Sequence, residues 1–278
     1  LYSSAASDVY KRQDYSWSPD GKWFTLEFIG NRHDPYSDIG MVSAQGGKII
    51  NLTNSGYTSG SPRWVLDGNA ILFITERYGM RAHASWGSLN DVMLVFMNQD
   101  AYDKFRLSKE DYELQKELEK EQKNTTEAKK NDKKKGDNKE KSEEKKEEKV
   151  KDIVVELNNI EDRIVRLTPN SSDLGSAIIT KDGETLYYLS AFEGGYDLWK
   201  MNLRKKDTKL LHKMDAGWAN MEMDKDGKNL FLLGSNTMQK MGTDSESLKP
   251  ISYQAHVKMD LAAERDYMFN HVYKQEQK

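Results

Sequence analysis

"YSWSPDGKWFTLEF", residues 15–28, decides the fold. Asp20-Gly21 stands between two runs in which apolar and polar residues alternate. Glycine accepts φ > 0 without steric cost and aspartate tolerates it, so such a turn can match the twist of the strands it joins. Pro19 presets φ ahead of the turn. The stretch reads as a β-hairpin. The same unit returns in "SPRWVLDGNAILFITER" (61–77), "SAIITKDGETLYYLSAFE" (176–193) and "NMEMDKDGKNLFLLGS" (220–235). The four turns sit at Asp20, Asp67, Asp182 and Asp226, so the first pair lies 47 residues apart and the last pair 44. Strand-only units with periods of about 40–50 residues point to β-propeller blades.

Each early hairpin is followed by a second pair of strands. "DIGMVSAQGGKIINLT" (38–53), "IVVELNNIEDRIVRLT" (153–168) and "YDLWKMNLRKKDTKLLHKM" (196–214) all read as strand, polar turn, strand. A shared pattern begins at Asp38 and Asp197 and reads as the inner part of a blade. Four strands per unit is what a propeller needs. The expected fold is therefore all-β: a partial β-propeller of four-stranded antiparallel blades, with open edges on both sides.

The 115 residues between Asp67 and Asp182 exceed one blade because a charged stretch interrupts the repeat. From Arg106 to Asp152 there are 16 Lys/Arg and 15 Asp/Glu. Its first part, "FRLSKEDYELQKELEKEQ" (105–122), reads as a helix, with Ser108 as N-cap and Asp111 three residues on. Residues 123–149 carry no apolar period and are expected to form a solvated, mostly disordered excursion, with a flickering helix as the alternative. Near the end, Leu261, Met268, Phe269, Val272 and Tyr273 recur at amphipathic helical spacing. The expected organisation is thus 14–104 propeller, 105–152 charged insertion, 153–256 propeller and 257–278 the start of a helical segment. Residues 1–13 are set apart. "DVYKRQ" back-translates to GAT GTG TAT AAG AGA CAG, which looks like a transposon mosaic end. "LYSSAASDVYKRQ" is therefore read as a sequencing-adapter artefact, Asp14 as the first authentic residue and the chain as a fragment.

Composition narrows the function. The net charge of −3 gives no basic face for nucleic acid or an anionic membrane. Cysteine is absent, which excludes disulfides and Cys-ligated zinc. The five histidines lack the spacing of a zinc pair, and there is no G-x-S-x-G elbow. No metal, cofactor or catalytic residue is expected in this chain. Asn51-Leu52-Thr53 and Asn124-Thr125-Thr126 match the glycosylation pattern, a match too frequent by chance to carry weight.

At this point "DVMLVFMNQDAYDKFRLSKEDYE", "EDRIVRLTPNSSDLGSAIITKDGETLYYLS" and "ISYQAHVKMDLAAERDYMFNHVY", set among the Asp-Gly blades, resemble the tricorn-like serine peptidases of the C-terminal-processing clan. The resemblance runs from Asp14 to the end. It implies a propeller followed by a helical segment, a PDZ-like module and a core with a nucleophilic serine. Residues 259–278 would open that helical segment, and no residue here matches the nucleophile, base or oxyanion donors. The implied partners are unfolded peptide or protein substrate and the chain's own downstream PDZ-like and catalytic domains, with homo-oligomers possible. The implied setting is periplasmic or otherwise exported. The blade motif itself is shared with TolB-type and prolyl-oligopeptidase propellers, so a TolB-like protein-binding module with no enzymatic partner domain stands as the alternative.

Five residues are candidates for a rim that contacts peptide. Arg32 and His33, beside Asp34, lie in "IGNRHDPYSDIG" (29–40). Arg77, Arg81 and His83 lie in "TERYGMRAHASWG" (75–87). The arginines could pair a peptide carboxylate in bidentate fashion. The plainer reading is a connector tied by Asp38 in the first loop and ion pairs within the blade in the second. Trp17, Trp23, Trp64, Trp199 and Trp218 are expected to fill the gaps between sheets.

Overall fold

The computed structural model describes residues 15–30, 36–83, 86–132, 151–235, 237–254, 256 and 258–277, with backbone alone for 81–88 and 122–132. Residues 1–13, read above as an adapter, lie outside the described residues, as does 133–149 of the charged stretch.

Four antiparallel sheets of four strands form the blades of a β-propeller arc. Blade 1 holds β1 (Tyr15–Trp17), β2 (Trp23–Phe28), β3 (Asp38–Ser43) and β4 (Ile50–Asn51). Blade 2 begins with β5 (Ser59–Val65) and β6 (Ala70–Thr75). A small hairpin follows, β7 (Arg81–His83) with β8 (Trp86–Ser88). The blade then resumes with β9 (Asp91–Phe96) and, after the charged insertion, ends with β10 (Ile164–Arg166). Blade 3 holds β11 (Asp173–Ile179), β12 (Thr185–Ala191), β13 (Tyr196–Asn202) and β14 (Asp207–Ala216). Blade 4 holds β15 (Ala219–Met223), β16 (Asn229–Gly234), β17 (Thr237–Gly242) and β18 (Leu248–Pro250).

Side chains on a strand alternate between faces, and that alternation builds the core. Counting from each turn aspartate, the fourth and sixth residues face back toward the preceding blade. The fifth and seventh face forward. Thus Ile71 and Phe73 join Ile39 and Met41 in the seam between blades 1 and 2. Leu72 and Ile74 meet Leu186 and Tyr188 between blades 2 and 3. Tyr187 and Leu189 meet Leu230 and Leu232 between blades 3 and 4. Strands buried on both faces need continuous apolar runs, hence "AILFIT", "DVMLVF" and "TLYYLS".

The turns are tighter in chemistry than a two-residue hairpin. Gly21, Gly183 and Gly227 adopt φ of 68°, 72° and 74°, while the aspartate before each stays at negative φ. In blade 1 the Trp23 amide donates to Ser18 Oγ (2.9 Å), and Ser18 Oγ donates to Asp20 Oδ1 (2.6 Å). Thr180 and Asp182 repeat this in blade 3. Asp224 takes the Ser18 role in blade 4, accepting from the Asn229 amide at 3.1 Å. Blade 2 has Val65 there and departs: Leu66 and Asp67 both take positive φ.

Three expectations are corrected. The third strand of blade 2 is Asp91–Phe96, not residues within 153–159, which are irregular. The insertion opens between the third and fourth strands, and only its exit supplies a strand. Next, the helical part is two helices, α1 (Gln99–Arg106) and α2 (Lys109–Asp132), so helix runs ten residues into the part read as disordered. Lys and Glu at i, i+4 spacing, as in Lys109–Glu113, support helix without an apolar face. The Ser108 cap holds: the Asp111 amide donates to Ser108 Oγ at 3.1 Å. Lastly, Trp23, Trp64 and Trp199 pack against seams, but Trp17 and Trp218 are about half exposed. Trp17 lies on the back face of blade 1, which meets no other blade among the described residues, and Trp218 lies on a connector. Helix α3 (Leu261–Glu276) ends the chain's described part, with Asp260 capping the amides of Ala262 and Ala263 and every described side chain exposed.

Candidate functional site: the crossover end of the propeller

Strand direction gives the arc two unlike ends. The Asp-Gly end carries the turns between first and second strands and the connections between third and fourth. The opposite, crossover end carries the connections between second and third strands and from one blade to the next.

At the Asp-Gly end the insertion folds back on the blades. Its neck is stitched by the Glu156 amide donating to the Met97 carbonyl (2.8 Å), the Gln99 amide to Glu156 Oε2 (2.9 Å) and the Ile153 amide to Asp20 Oδ2 (3.0 Å). Arg163, 3% exposed, donates to the carbonyls of Phe96 (3.2 Å), Asn158 (3.0 Å) and Glu156. Farther out, Arg204 from the β13–β14 turn donates to the carbonyls of Phe105, Lys104 and Leu107, and its guanidinium lies 4.0 Å from the Tyr112 ring centre. Lys116 reaches Glu184 at 3.2 Å. A cavity of about 670 Å³ lies under the helices, lined by Asn69, Asn98, Asp103, Gln115 and Glu156. Asn98, Asn69 and Glu156 already serve as caps and ties there. Among the described residues, no three His, Asp or Glu side chains are arranged to hold a metal ion.

The crossover end differs. In blades 1, 2 and 3 its connectors are anchored by a repeated carboxylate knot at the start of the third strand. Asp38 accepts from Thr53 Oγ1 (2.7 Å), Asn51 Nδ2 (2.9 Å) and the Ser55 amide (2.9 Å). Asp91, with 0% exposure, accepts from Thr168 Oγ1 (2.7 Å), Ser171 Oγ (2.7 Å) and Arg166 Nε (3.0 Å). Asp197 accepts from the amides of Met214 and Asp215. Above this anchored base the connectors expose large apolar side chains: Ile29 from blade 1, Tyr78, Met80 and Leu89 from blade 2, Phe192 from blade 3 and Trp218 between blades 3 and 4. Met80 is 80% exposed. The Tyr78 ring lies 5.1 Å from the Arg166 guanidinium and 5.6 Å from that of Arg77. Because Asp91 fixes Arg166, the Tyr78 ring has a held backing.

The five rim candidates divide accordingly. Arg77 is exposed at this end against Tyr78. Arg81 and His83 lie on β7, opposite Ser88 and Trp86 in the small hairpin, and are placed by backbone alone. Arg32 and His33 lie outside the described residues. An ion pair of blade 2, Arg166 on Asp91 at 2.9 Å, stands beside the second loop but involves no residue of 75–87. Sequence reading missed Tyr78, Met80, Phe192 and the Asp91–Thr168 knot. A signal for the knot was present: "NLT" (51–53) and "RLT" (166–168) both close a blade after an Asp that opens a third strand.

Tyr196 donates to Asp173 Oδ1 at 2.8 Å, and burial, together with that carboxylate, pushes its hydroxyl up to about 12. It stays a neutral donor at physiological pH.

Comparison with known proteins agrees with the fold. No family model matches the chain. A 59-residue stretch is 39% identical to the uncharacterized peptidase YuxL of Bacillus subtilis, covering 21% of this chain and 9% of that one. The tricorn protease superposes with a TM-score of 0.55 at 10% identity, over 86% of this chain and 22% of that one. TolB from Acinetobacter baumannii superposes with a TM-score of 0.50 at 14% identity, over 89% of this chain and 45% of that one. The chain thus spans less than half the length of each of these three proteins. At such identities the two structures speak for fold alone: four blades of a β-propeller, of the kind found in both tricorn-type peptidases and TolB.

Proposed function

We propose that this chain is a non-catalytic propeller that docks unfolded polypeptide on its crossover end, for entry into the serine-nucleophile core of a tricorn-like endopeptidase. The observation that carries the reading is the set of exposed apolar side chains that the connectors of blades 1, 2 and 3 and the link between blades 3 and 4 contribute there, set on carboxylate knots and flanked by Arg77. Extended polypeptide offers apolar side chains and a terminal carboxylate, which such a surface meets with aromatic contact and bidentate pairing. The stretch shared with a peptidase, and the sequence resemblance to the tricorn-like family, favour proteolysis as the setting. That family implies an exported, periplasmic location and catalysis by other domains.

The test uses a fluorescein-labelled, permanently unfolded polypeptide. Fluorescence anisotropy should rise saturably with added chain. The Tyr78→Ala, Met80→Ala double variant should weaken binding by about tenfold or more, since aromatic anchors carry much of an interface's energy. The chain should leave the polypeptide uncut and take up no fluorophosphonate label. Cleavage or labelling by the chain itself would refute the non-catalytic part. Saturable binding of a folded protein partner, with none of the unfolded polypeptide, would favour the TolB-like alternative.

A further inference from the structure

A polar cleft of about 380 Å³ opens between blades 3 and 4 at the Asp-Gly end, and no described residue of α1 or α2 lines it. Tyr187 lines it from the forward face of blade 3, in one row with Lys200 on β13 and Lys209 on β14. Tyr187 is 2% exposed, and its hydroxyl has no hydrogen-bond partner among the described residues. Burial, then the nearby Glu246 carboxylate, push that hydroxyl above its ordinary pKa, so it stays neutral. A buried hydroxyl so placed calls for a partner from outside the fold. The charges around the cleft are unevenly paired. Lys200 and Lys209 both reach Glu246, at 2.5 and 2.8 Å, and the Lys181 ammonium donates to the Lys225 carbonyl. Asp182 Oδ1 accepts from Thr180 Oγ1 at 2.6 Å and from the Glu184 amide at 3.0 Å. Blade 4 differs in its turn. Asp224 there fills the roles of both Ser18 and Asp20, accepting from the amides of Lys228 (2.8 Å) and Asn229 (3.1 Å). That releases Asp226. Its carboxylate, and that of Asp244 in the β17–β18 turn, take no hydrogen bond or ion pair among the described residues. Each lysine of the cleft thus holds an oxygen, while two carboxylates and a phenol hold nothing.

We propose that this cleft binds an alkylammonium group, with Tyr187, Asp226 and Asp244 as its acceptors. An ammonium is a compact cation with three donors, and the open groups are three acceptors, the phenol accepting through its oxygen. A hard metal ion fits less well. It takes six or more oxygen ligands, and no three His, Asp or Glu side chains among the described residues are arranged to hold one. An anion would meet only lysines that are already held. The ammonium has two chemical sources, a free diamine or the lysine side chain of a polypeptide. The cleft lies at the end opposite the polypeptide surface, so the inference goes beyond the function proposed above and stands apart from it.

Amide chemical shifts of the whole chain, followed by NMR at low salt, test it. The probes are 1,4-diaminobutane and Nα-acetyl-lysine methylamide, with the uncharged Nε-acetyl form of the second as control. An ammonium probe should shift residues 180–187, 226–228 and 243–246 saturably, and the uncharged control should not. Tighter binding of the diamine assigns the cleft to a free polyamine, and tighter binding of the capped lysine assigns it to a lysine side chain. Tyr187→Phe should weaken binding about tenfold. It should move the melting temperature by less than about 2 °C, because the hydroxyl it removes has no partner within the fold. Asp226→Asn combined with Asp244→Asn should weaken binding by about tenfold or more. Four results would overturn the proposal: neither ammonium probe binds, the uncharged control binds as well, Tyr187→Phe binds as the wild type does, or magnesium chloride at equal ionic strength shifts the same residues as strongly. None of these outcomes bears on anisotropy with the unfolded polypeptide.

Discussion

The two ends of the propeller are built from the same strands and differ in what covers them. At the Asp-Gly end the helices of the insertion lie over blades 2 and 3, and backbone carbonyls are met by buried or stacked arginines. At the crossover end the polar groups are tied inward by Asp38, Asp91 and Asp197, leaving apolar side chains outward. A covered end contributes stability, whereas an anchored but uncovered end offers a surface. Soluble proteins seldom keep large contiguous apolar patches exposed without a partner. On the function proposed above, the covered end is braced by the insertion and the uncovered end is the one that meets a partner.

The contrast breaks first at Arg163. Its guanidinium satisfies carbonyls at the insertion neck, and Arg163→Met would leave them buried without donors. A loss of about 3 kcal/mol is expected, read as a lower urea midpoint with unchanged slope. A loss within about 0.5 kcal/mol would mean that the neck does not hold the Asp-Gly end together.

Arg204 gives a smaller, local effect. Arg204→Ala removes the donor to the end of α1 and the cation stacked on Tyr112. The loss is about 1–2 kcal/mol of helix docking. Faster tryptic cleavage within α1 and α2, with the blades' amide exchange unchanged, is the expected outcome. Uniformly faster exchange in blade 3 would show that the helices brace the seam itself.

A pH effect sharpens the comparison further. Lys200, then Lys209, donate to Glu246 at 2.5 and 2.8 Å and hold its carboxyl below the ordinary value. A depressed carboxylate contributes stability above its unfolded pKa and loses it as pH falls through the folded one. Wild type and Glu246→Gln should therefore differ at pH 6–7 by a constant amount. The difference should shrink as pH drops below about 4.3, the free glutamate range. A difference that persists unchanged in acid would contradict the pairing.

The smallest effect concerns 123–149. Removing it should move the melting temperature by less than about 2 °C, because surface insertions are entropically cheap to shorten. A drop beyond about 5 °C would place the segment against the blades.

Much of the fold was legible because its signals are local. Asp-Gly between alternating runs marks each hairpin, and double-sided burial writes itself as unbroken apolar strands. The strand Asp91–Phe96 was misplaced because 67 residues separate it from its partner Ile164–Arg166, and an insertion hides which strand closes a blade. The candidate site was less legible. Tyr78 and Met80 look like core residues in sequence, and only the connector's position makes them surface. Trp17 carries the same lesson: its strand reads as buried, and its exposure follows from its being on the face that no described blade covers.

Amide hydrogen exchange, with and without the unfolded polypeptide, tests the division of labour most directly. The account predicts new protection at residues 76–83, 191–196 and 216–219, with 97–121 unchanged. Protection centred on α1 and α2, with the crossover connectors unaffected, would contradict it.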